Sequence, residues 1–199
     1  MKKTLIIFAL ILIGHLSSAQ SVEFYTGYLL PNKKYSESVP SPKNGHKIGV
    51  QLLFNINSSV KLKTGIEYNS AKYTGKYSSF DILGNKIGIE SFESVLNYIG
   101  IPIGLRYEFK GEKVSPFIDS DIKSSFLVKS THKNIPVINS NKLIVNASIG
   151  GGFKVNTTKK SYITASSAYN FQINNTYKSY SGVKFDGVSF NVSFGIKLK

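Results

Sequence analysis

The sequence predicts an all-β fold, an eight-stranded antiparallel up-and-down transmembrane β-barrel, and three observations predict it. Segments of roughly ten residues alternate apolar and polar side chains with a period of two. Beyond the amino-terminal segment, no apolar run approaches the roughly 20 residues that a membrane-spanning helix needs. The connections between segments are short at one end of the pattern and long at the other. A chain that crosses lipid without helices has to close on itself, because lipid leaves an open backbone edge unsatisfied.

The clearest segment is Tyr98 to Phe109, YIGIPIGLRYEF. Ile99, Ile101, Ile103, Leu105, Tyr107 and Phe109 form one greasy face, and Gly100, Pro102, Gly104, Arg106 and Glu108 lie on the other. Ahead of it, strands are expected over Val22–Leu30, His46–Ile56 and Val60–Asn69. Pairing Phe54 with Leu62 around Ser58 puts Val50 beside Ile66 and Ile48 beside Tyr68, so the apolar faces coincide; a slip of one residue would scramble them. Residues 31–45 hold three of the six prolines and read as a loop. Gly84-Asn85 reads as a two-residue hairpin tip. With Leu83 facing Lys86, that register carries Ile66 to Ile103, Leu62 to Tyr107 and Lys61 to Glu108.

After the turn at Lys110–Lys113, strand five is expected from Val114 to Val128, followed by a polar loop over 129–141. Strand six covers Leu143–Val155, strand seven Tyr162–Phe171, and a loop from Gln172 to Gly187 leads to the last strand, Val188–Leu198. Both chain ends then lie on the short-turn side. Phe54, Tyr107, Phe109, Phe153 and Tyr162 are expected in an inner aromatic girdle, and Tyr28, Tyr68, Phe126, Tyr169 and Phe190 in an outer one.

With the apolar stripes turned to lipid, the barrel interior receives Glu23, Lys61, Lys63, Glu67, Arg106, Glu108, Asp119, Asp121, Lys123 and Lys154. Eight strands leave a lumen only wide enough for side chains, and an unpaired charge there is costly. The expectation is a salt-bridged plug with Arg106 diagonal to Asp119 across the turn and Glu67 and Lys63 nearby; a narrow ion path is the functional alternative.

Residues 1–19 have the form of a signal peptide: Lys2 and Lys3, an apolar run from Leu5 to Ile13, and Ser17-Ser18-Ala19 before an expected cleavage. Residues 20–199 are one domain. The net charge is +14, and loss of Lys2 and Lys3 leaves +12. An exported basic chain meets no nucleic acid, so lipopolysaccharide phosphates are the expected polyanion. There is no cysteine, which excludes a lipidated amino terminus, disulfides and thiolate metal sites. No cofactor motif is present.

The signal peptide ending SSAQ, the glycine-containing second strand running into LLFNI, GIEY at the end of strand three, YIGIPIGLRYEF followed by PFIDSD, Gly150-Gly151-Gly152 and the alternating carboxyl terminus resemble the PorT-like outer-membrane β-barrel domain family. The resemblance covers essentially the whole mature chain and implies an eight-stranded barrel in a Gram-negative outer membrane, with an envelope or secretion partner as one implied role. The chain ends Leu198-Lys199 rather than on an aromatic residue, so recognition by the barrel-insertion machinery would rest on Phe190, Phe194 and Leu198.

A non-enzymatic barrel whose loop lysines (Lys33, Lys34, Lys43, Lys76, Lys133, Lys178, Lys184) contact lipopolysaccharide is the reading these features favour. A lipid-modifying outer-membrane enzyme is an alternative, but Ser130 and His132 have no acid adjacent to complete a relay. A soluble lipocalin-like barrel, with its apolar faces turned inward, is another.

Overall fold

The computed structural model describes residues 20–32, 39–133, 139–178 and 182–198. The expected signal peptide and the loop lysines Lys33 and Lys34 lie outside the described residues. Eight strands follow in chain order: β1 Ser21–Pro31, β2 Ser41–Asn55, β3 Val60–Phe80, β4 Lys86–Glu108, β5 Val114–Lys133, β6 Leu143–Asn156, β7 Ser161–Gln172 and β8 Gly187–Lys197. Each pairs antiparallel with its sequence neighbours, and β1 pairs with β8 to close the barrel.

The period-two pattern decides which face is which. Ile103 is 59% exposed and Val192 56%, whereas Arg106 is 2% exposed. Apolar side chains therefore cover the outside and ionic ones fill the inside, the reverse of a soluble ligand-binding barrel. Between β2 and β3 the register is Phe54↔Leu62, Val50↔Ile66 and Ile48↔Tyr68, as the faces require.

Between β3 and β4 the register differs from the sequence expectation by two residues: Thr64 faces Ile103, Leu62 faces Leu105 and Lys61 faces Arg106. The hairpin tip is the cause. Instead of a two-residue turn at Gly84-Asn85, the chain makes a five-residue loop over Asp81–Asn85. The Asp81 carboxylate accepts from the Leu83 and Asn85 amides at 2.9 and 2.8 Å, and Gly84 adopts φ +83°. Those bonds hold the Asp81 carboxyl below its usual pKa, the Asn85 amide contributing most. An even displacement leaves every side chain on its face, so the pattern alone could not detect it.

Two expected loops are partly strand. β2 begins at Ser41, with Pro42 opposite Tyr73 and a register shift before Gly45; proline is accommodated at such an irregularity because its missing N–H is not needed there. β5 continues through 129–133, pairing Lys129 with Asn97 and Lys133 with Glu93 past a shift at Asn97/Tyr98.

Residues 173–178 and 182–186, between β7 and β8, do not form an open loop. Tyr177, Val183 and Phe185 turn into the mouth and pack with Leu29, Ala71, Tyr73, Phe92, Leu96, Tyr98 and Ile144. Tyr73 meets Tyr177 and Phe185 edge-on, with centroids 5.4 and 6.0 Å away. Gln172 fastens the segment: its side chain donates to Asn174 O and Thr176 Oγ1 and accepts from Phe185 N, while its own amide donates to Asp186 Oδ1 at 2.7 Å. An inward apolar side chain in a polar loop leaves no periodic trace, which is why the sequence pattern misses this plug.

The aromatic girdles form with one exception. Tyr107 and Phe109 stack edge-on at 4.9 Å on the outside, and Tyr28, Tyr68, Phe126 and Phe190 are exposed. Tyr162 belongs instead to the interior, 1% exposed, lying over Gly195, where an added Cβ would come within 2.2 Å of its ring. Tyr25 covers Gly49 in the same way. Each ring enters the crowded lumen only because its cross-strand partner has no side chain.

Emptying the plug is expected to cost more than a surface change. Phe185→Ala should lower stability by about 3 kcal/mol, read as a shift in the urea midpoint of the protein refolded in lipid, with the slope unchanged.

Candidate functional site

The inward faces of β1 to β6 carry alternating charges that meet in the lumen. At their centre is Arg106, on the polar face of β4. Its Nη1 and Nη2 donate to Glu23 Oε1 and Oε2 at 2.5 and 3.2 Å, while Nε and Nη2 donate to Asp119 Oδ1 and Oδ2 at 2.9 and 3.2 Å. The planar fork thus grips each of two carboxylates through two bonds, a bidentate geometry lysine cannot supply. Phe117 backs the guanidinium, its ring centroid 4.3 Å from Cζ.

Arg106 lies directly opposite Asp119 in the β4–β5 ladder, not diagonal to it. The chain of pairs continues in both directions. Lys63 reaches Asp119 at 3.3 Å and Asp121 at 2.9 Å. Glu67 is held by Lys123, by Lys47 at 3.8 Å and by the Tyr25 hydroxyl at 2.9 Å. Towards the short turns, Glu108 is shared by Lys61 at 2.8 Å and Lys154. Lys61 faces Arg106 in the ladder and reaches Glu108 as a diagonal neighbour, so the two-residue displacement keeps this ion pair.

All eight charged positions singled out from the sequence, Lys61, Lys63, Glu67, Arg106, Glu108, Asp119, Asp121 and Lys123, therefore sit in the lumen with Glu23 and Lys154, in three ion-paired groups centred on Arg106, Glu67 and Glu108. Sequence reasoning missed Lys47, Gln51, Tyr25 and Phe117. Parity places each of them on the inward face, which was the available signal; Gln51 donates to Glu23. Six cations (Lys47, Lys61, Lys63, Arg106, Lys123, Lys154) meet five carboxylates (Glu23, Glu67, Glu108, Asp119, Asp121), so the lumen is close to neutral.

β6, β7 and β8 contribute a different wall. Ser148, Gly152, Thr164, Ser166 and Ser193 face the charged strands, and Thr164 and Ser193 share a hydrogen bond at 2.6 Å. Small side chains here leave room for the long lysines and arginine opposite. Between the two walls lies a polar cavity of about 60 Å³, enough for water but not for a substrate of ordinary size. Above it come Asn69, Asn146, Asn170 and Gln172, and then the apolar plug. The interior is thus layered: ionic, amide, apolar.

At the upper rim, Ser94 Oγ and His132 Nδ1 are 3.0 Å apart. The sequence pairs His132 with Ser130; the β4–β5 register brings Ser94 to it instead. Burial lowers the pKa of this histidine, and among the described residues no carboxylate pairs with it. Ser94 is fully buried, out of reach of a substrate. His46 is exposed on the outer face. Among the described residues, no cluster of His, Asp or Glu could hold a metal ion.

Outside, the wall of β3, β4 and β5 changes character above Tyr68, Ile99 and Phe126. The next outward rows hold Ser70, Asn97 and Lys129, then Lys72, Val95 and Thr131, then Thr74, Glu93 and Lys133. Lys72 bridges Glu93 at 2.6 Å; Lys129 and Lys133 are exposed.

A closed barrel of this build, greasy outside and ion-paired within, defines a membrane-spanning β-barrel of the outer-membrane type. Residues 14–199 match the outer membrane protein beta-barrel domain, and the chain belongs to that family. Among solved structures it is similar to the outer membrane protein OprG from Pseudomonas aeruginosa, with a TM-score of 0.58, 10% identity, and 91% of this chain and 96% of that one covered. Ail, the attachment invasion locus protein of Yersinia pestis, aligns with a TM-score of 0.36 and 12% identity over 89% and 94% of the two chains. The outer membrane enzyme PagL aligns at 0.36 and 13% over 90% and 99%. At 10% identity the likeness to OprG is one of fold. No curated protein matches the chain in sequence.

Removing the centre of the network is expected to expose its cost. Arg106→Met leaves Glu23 and Asp119 buried without their shared cation and should destabilise the folded barrel by about 3–5 kcal/mol. Arg106→Lys should recover only part of that, because three ammonium donors cannot replace the four bonds the guanidinium makes to the two carboxylates. Equilibrium unfolding of the lipid-inserted protein measures both.

Proposed function

We propose that this protein is a non-catalytic, non-conducting outer-membrane barrel, exported by its amino-terminal signal peptide, whose outward basic rim seats lipopolysaccharide. The observation that carries this reading is the double closure of the lumen. The ionic layer neutralises itself around Arg106, and Tyr177, Val183 and Phe185 pack into the mouth above it. An ion path needs a charge free to exchange partners, and here each carboxylate of the network already holds a cation. The Ser94–His132 contact does not favour a lipid-modifying enzyme: the hydroxyl is buried and, among the described residues, no third group orients the ring.

The rim supports the second half of the reading. Lys129 stands directly above the lipid-facing Phe126 and Ile99, with Lys72 and Lys133 in the following rows, so acyl chains lying on the apolar band would bring their phosphates to these ammonium groups. Lys76, also named from the sequence, is exposed one row beyond Lys133. Lys178 and Lys184 belong to the plug segment rather than to a free loop. A PorT-like role beside a secretion or other envelope partner is compatible with a barrel that transports nothing itself.

In a planar bilayer the refolded protein should show no steady conductance above the bare membrane; open-channel steps of a stable size would sink the non-conducting reading. Replacing Lys72, Lys129 and Lys133 together by serine should weaken association with lipopolysaccharide roughly tenfold or more at low salt, with a shallower salt dependence. Co-purification and titration against lipid A vesicles measure it.

A further inference from the structure

The β3–β4 hairpin outgrows the barrel. β2 last pairs with β3 at Ser41↔Thr74, and β5 last pairs with β4 at Lys133↔Glu93. Beyond those rungs, among the described residues, β3 and β4 continue as a two-stranded ribbon, with Tyr77↔Glu90, Ser78↔Ile89 and Ser79↔Gly88, and a shift that skips Ile87 before Phe80↔Lys86. Among the described residues, Lys86–Glu90 has a strand partner on one side only. A two-stranded ribbon is marginal by itself in water, and an open edge is a template for another strand.

The ribbon is also apolar where it meets solvent. Ile82 is 101% exposed, Leu83 82%, Ile87 68% and Ile89 61%. These lie far above the lipid band: Ile89 faces Ser78, ten residues along β3 from the girdle residue Tyr68, or roughly 33 Å of strand. Neither the membrane nor the barrel core covers them.

The open segment reads Lys86-Ile87-Gly88-Ile89-Glu90. Laid antiparallel on itself about Gly88, it places Lys86 opposite Glu90, Ile87 opposite Ile89 and Gly88 opposite Gly88. Both charge pairs are of opposite sign and both large apolar pairs match, the combination that stabilises neighbouring antiparallel strands. Glu90 accepts from the Tyr77 hydroxyl at 2.8 Å through one oxygen, leaving the other for a lysine. We infer that this edge binds a second copy of the same chain, forming a four-stranded sheet β3–β4–β4–β3 across a two-fold axis through Gly88.

The axis also fixes where the second copy stands. Barrel strands lean by roughly 35–45° from the membrane normal. A two-fold at right angles to a strand so inclined turns the two barrel axes at least about 90° apart, so two copies upright in one flat membrane cannot make this pairing. The contact joins barrels on apposed membranes. It rests on the barrel standing in the outer membrane with its long hairpin outward; heat-modifiable gel mobility reports on the barrel itself, separately from the pairing.

The test uses Gly88→Cys in the full-length chain after processing and refolding. The protein has no other cysteine, and a Cβ at this position meets only Ser79 Oγ, at 3.6 Å. Directly opposed strand positions lie within disulfide reach. Mild oxidation of the folded, detergent-solubilised protein should give a covalent dimer. Adding Lys86→Glu should slow its formation roughly tenfold, because two like-charge pairs replace two attractive ones, and adding Glu90→Lys to that variant should restore it. Vesicles carrying the wild-type protein should cluster, and vesicles carrying Lys86→Glu should not. Cross-linking indifferent to Lys86→Glu, or not rescued by the double exchange, overturns the pairing. Dimers in detergent with vesicles that stay dispersed overturn the apposed-membrane arrangement.

Discussion

A lumen bounded by eight strands is too narrow to keep ions hydrated, so each charge placed in it has to find its counter-charge in protein. That constraint organises the rest of the molecule. Arg106 serves Glu23 on β1 and Asp119 on β5 at once, tying strands that are not neighbours in the sheet across the interior. Lys63, Lys123 and Lys154 extend the ties to β3, β5 and β6. Breaking one partner leaves a buried charge, whereas exchanging a whole set for apolar groups could be neutral; the network is thus a specification of the native arrangement more than a reserve of stability.

The small-residue wall of β6 to β8 and the glycines beneath Tyr25 and Tyr162 follow from the same crowding. Long cationic side chains on one half of the circumference need short ones on the other. A ring can lie flat in the lumen only over a position without a Cβ, as at Gly49 and Gly195. Above the ionic layer, amides and then the apolar cluster around Tyr73 and Phe185 continue the filling.

Much of this was legible in the sequence because a two-residue period assigns faces without reference to partners. The strand count, the inward charges and the β2–β3 register follow from it. The period is blind to three things that the structure supplies. It could not see the displacement by two residues between β3 and β4, set by Asp81 and Gly84 at the hairpin tip. It could not see that Ser41–Gly45 and residues 129–133 become strand because long neighbours offer them an edge. Nor could it see Tyr177, Val183 and Phe185 turning inward from a loop, since loop residues carry no period. The misplacement of Tyr162 was of another kind: parity already put it inside, and its aromatic character drew it to the girdle.

The displacement at the β3–β4 hairpin bears on how such a chain inserts correctly. A two-residue slide keeps each lipid-facing isoleucine outside and each lumen lysine inside, so the hydrophobic energy of the slipped barrel is nearly that of the native one. What differs is which cation meets which carboxylate. Error-checking of strand alignment during assembly therefore falls on the electrostatic interior rather than on the greasy exterior, and a barrel with an uncharged lumen would have lost its means of telling the two alignments apart.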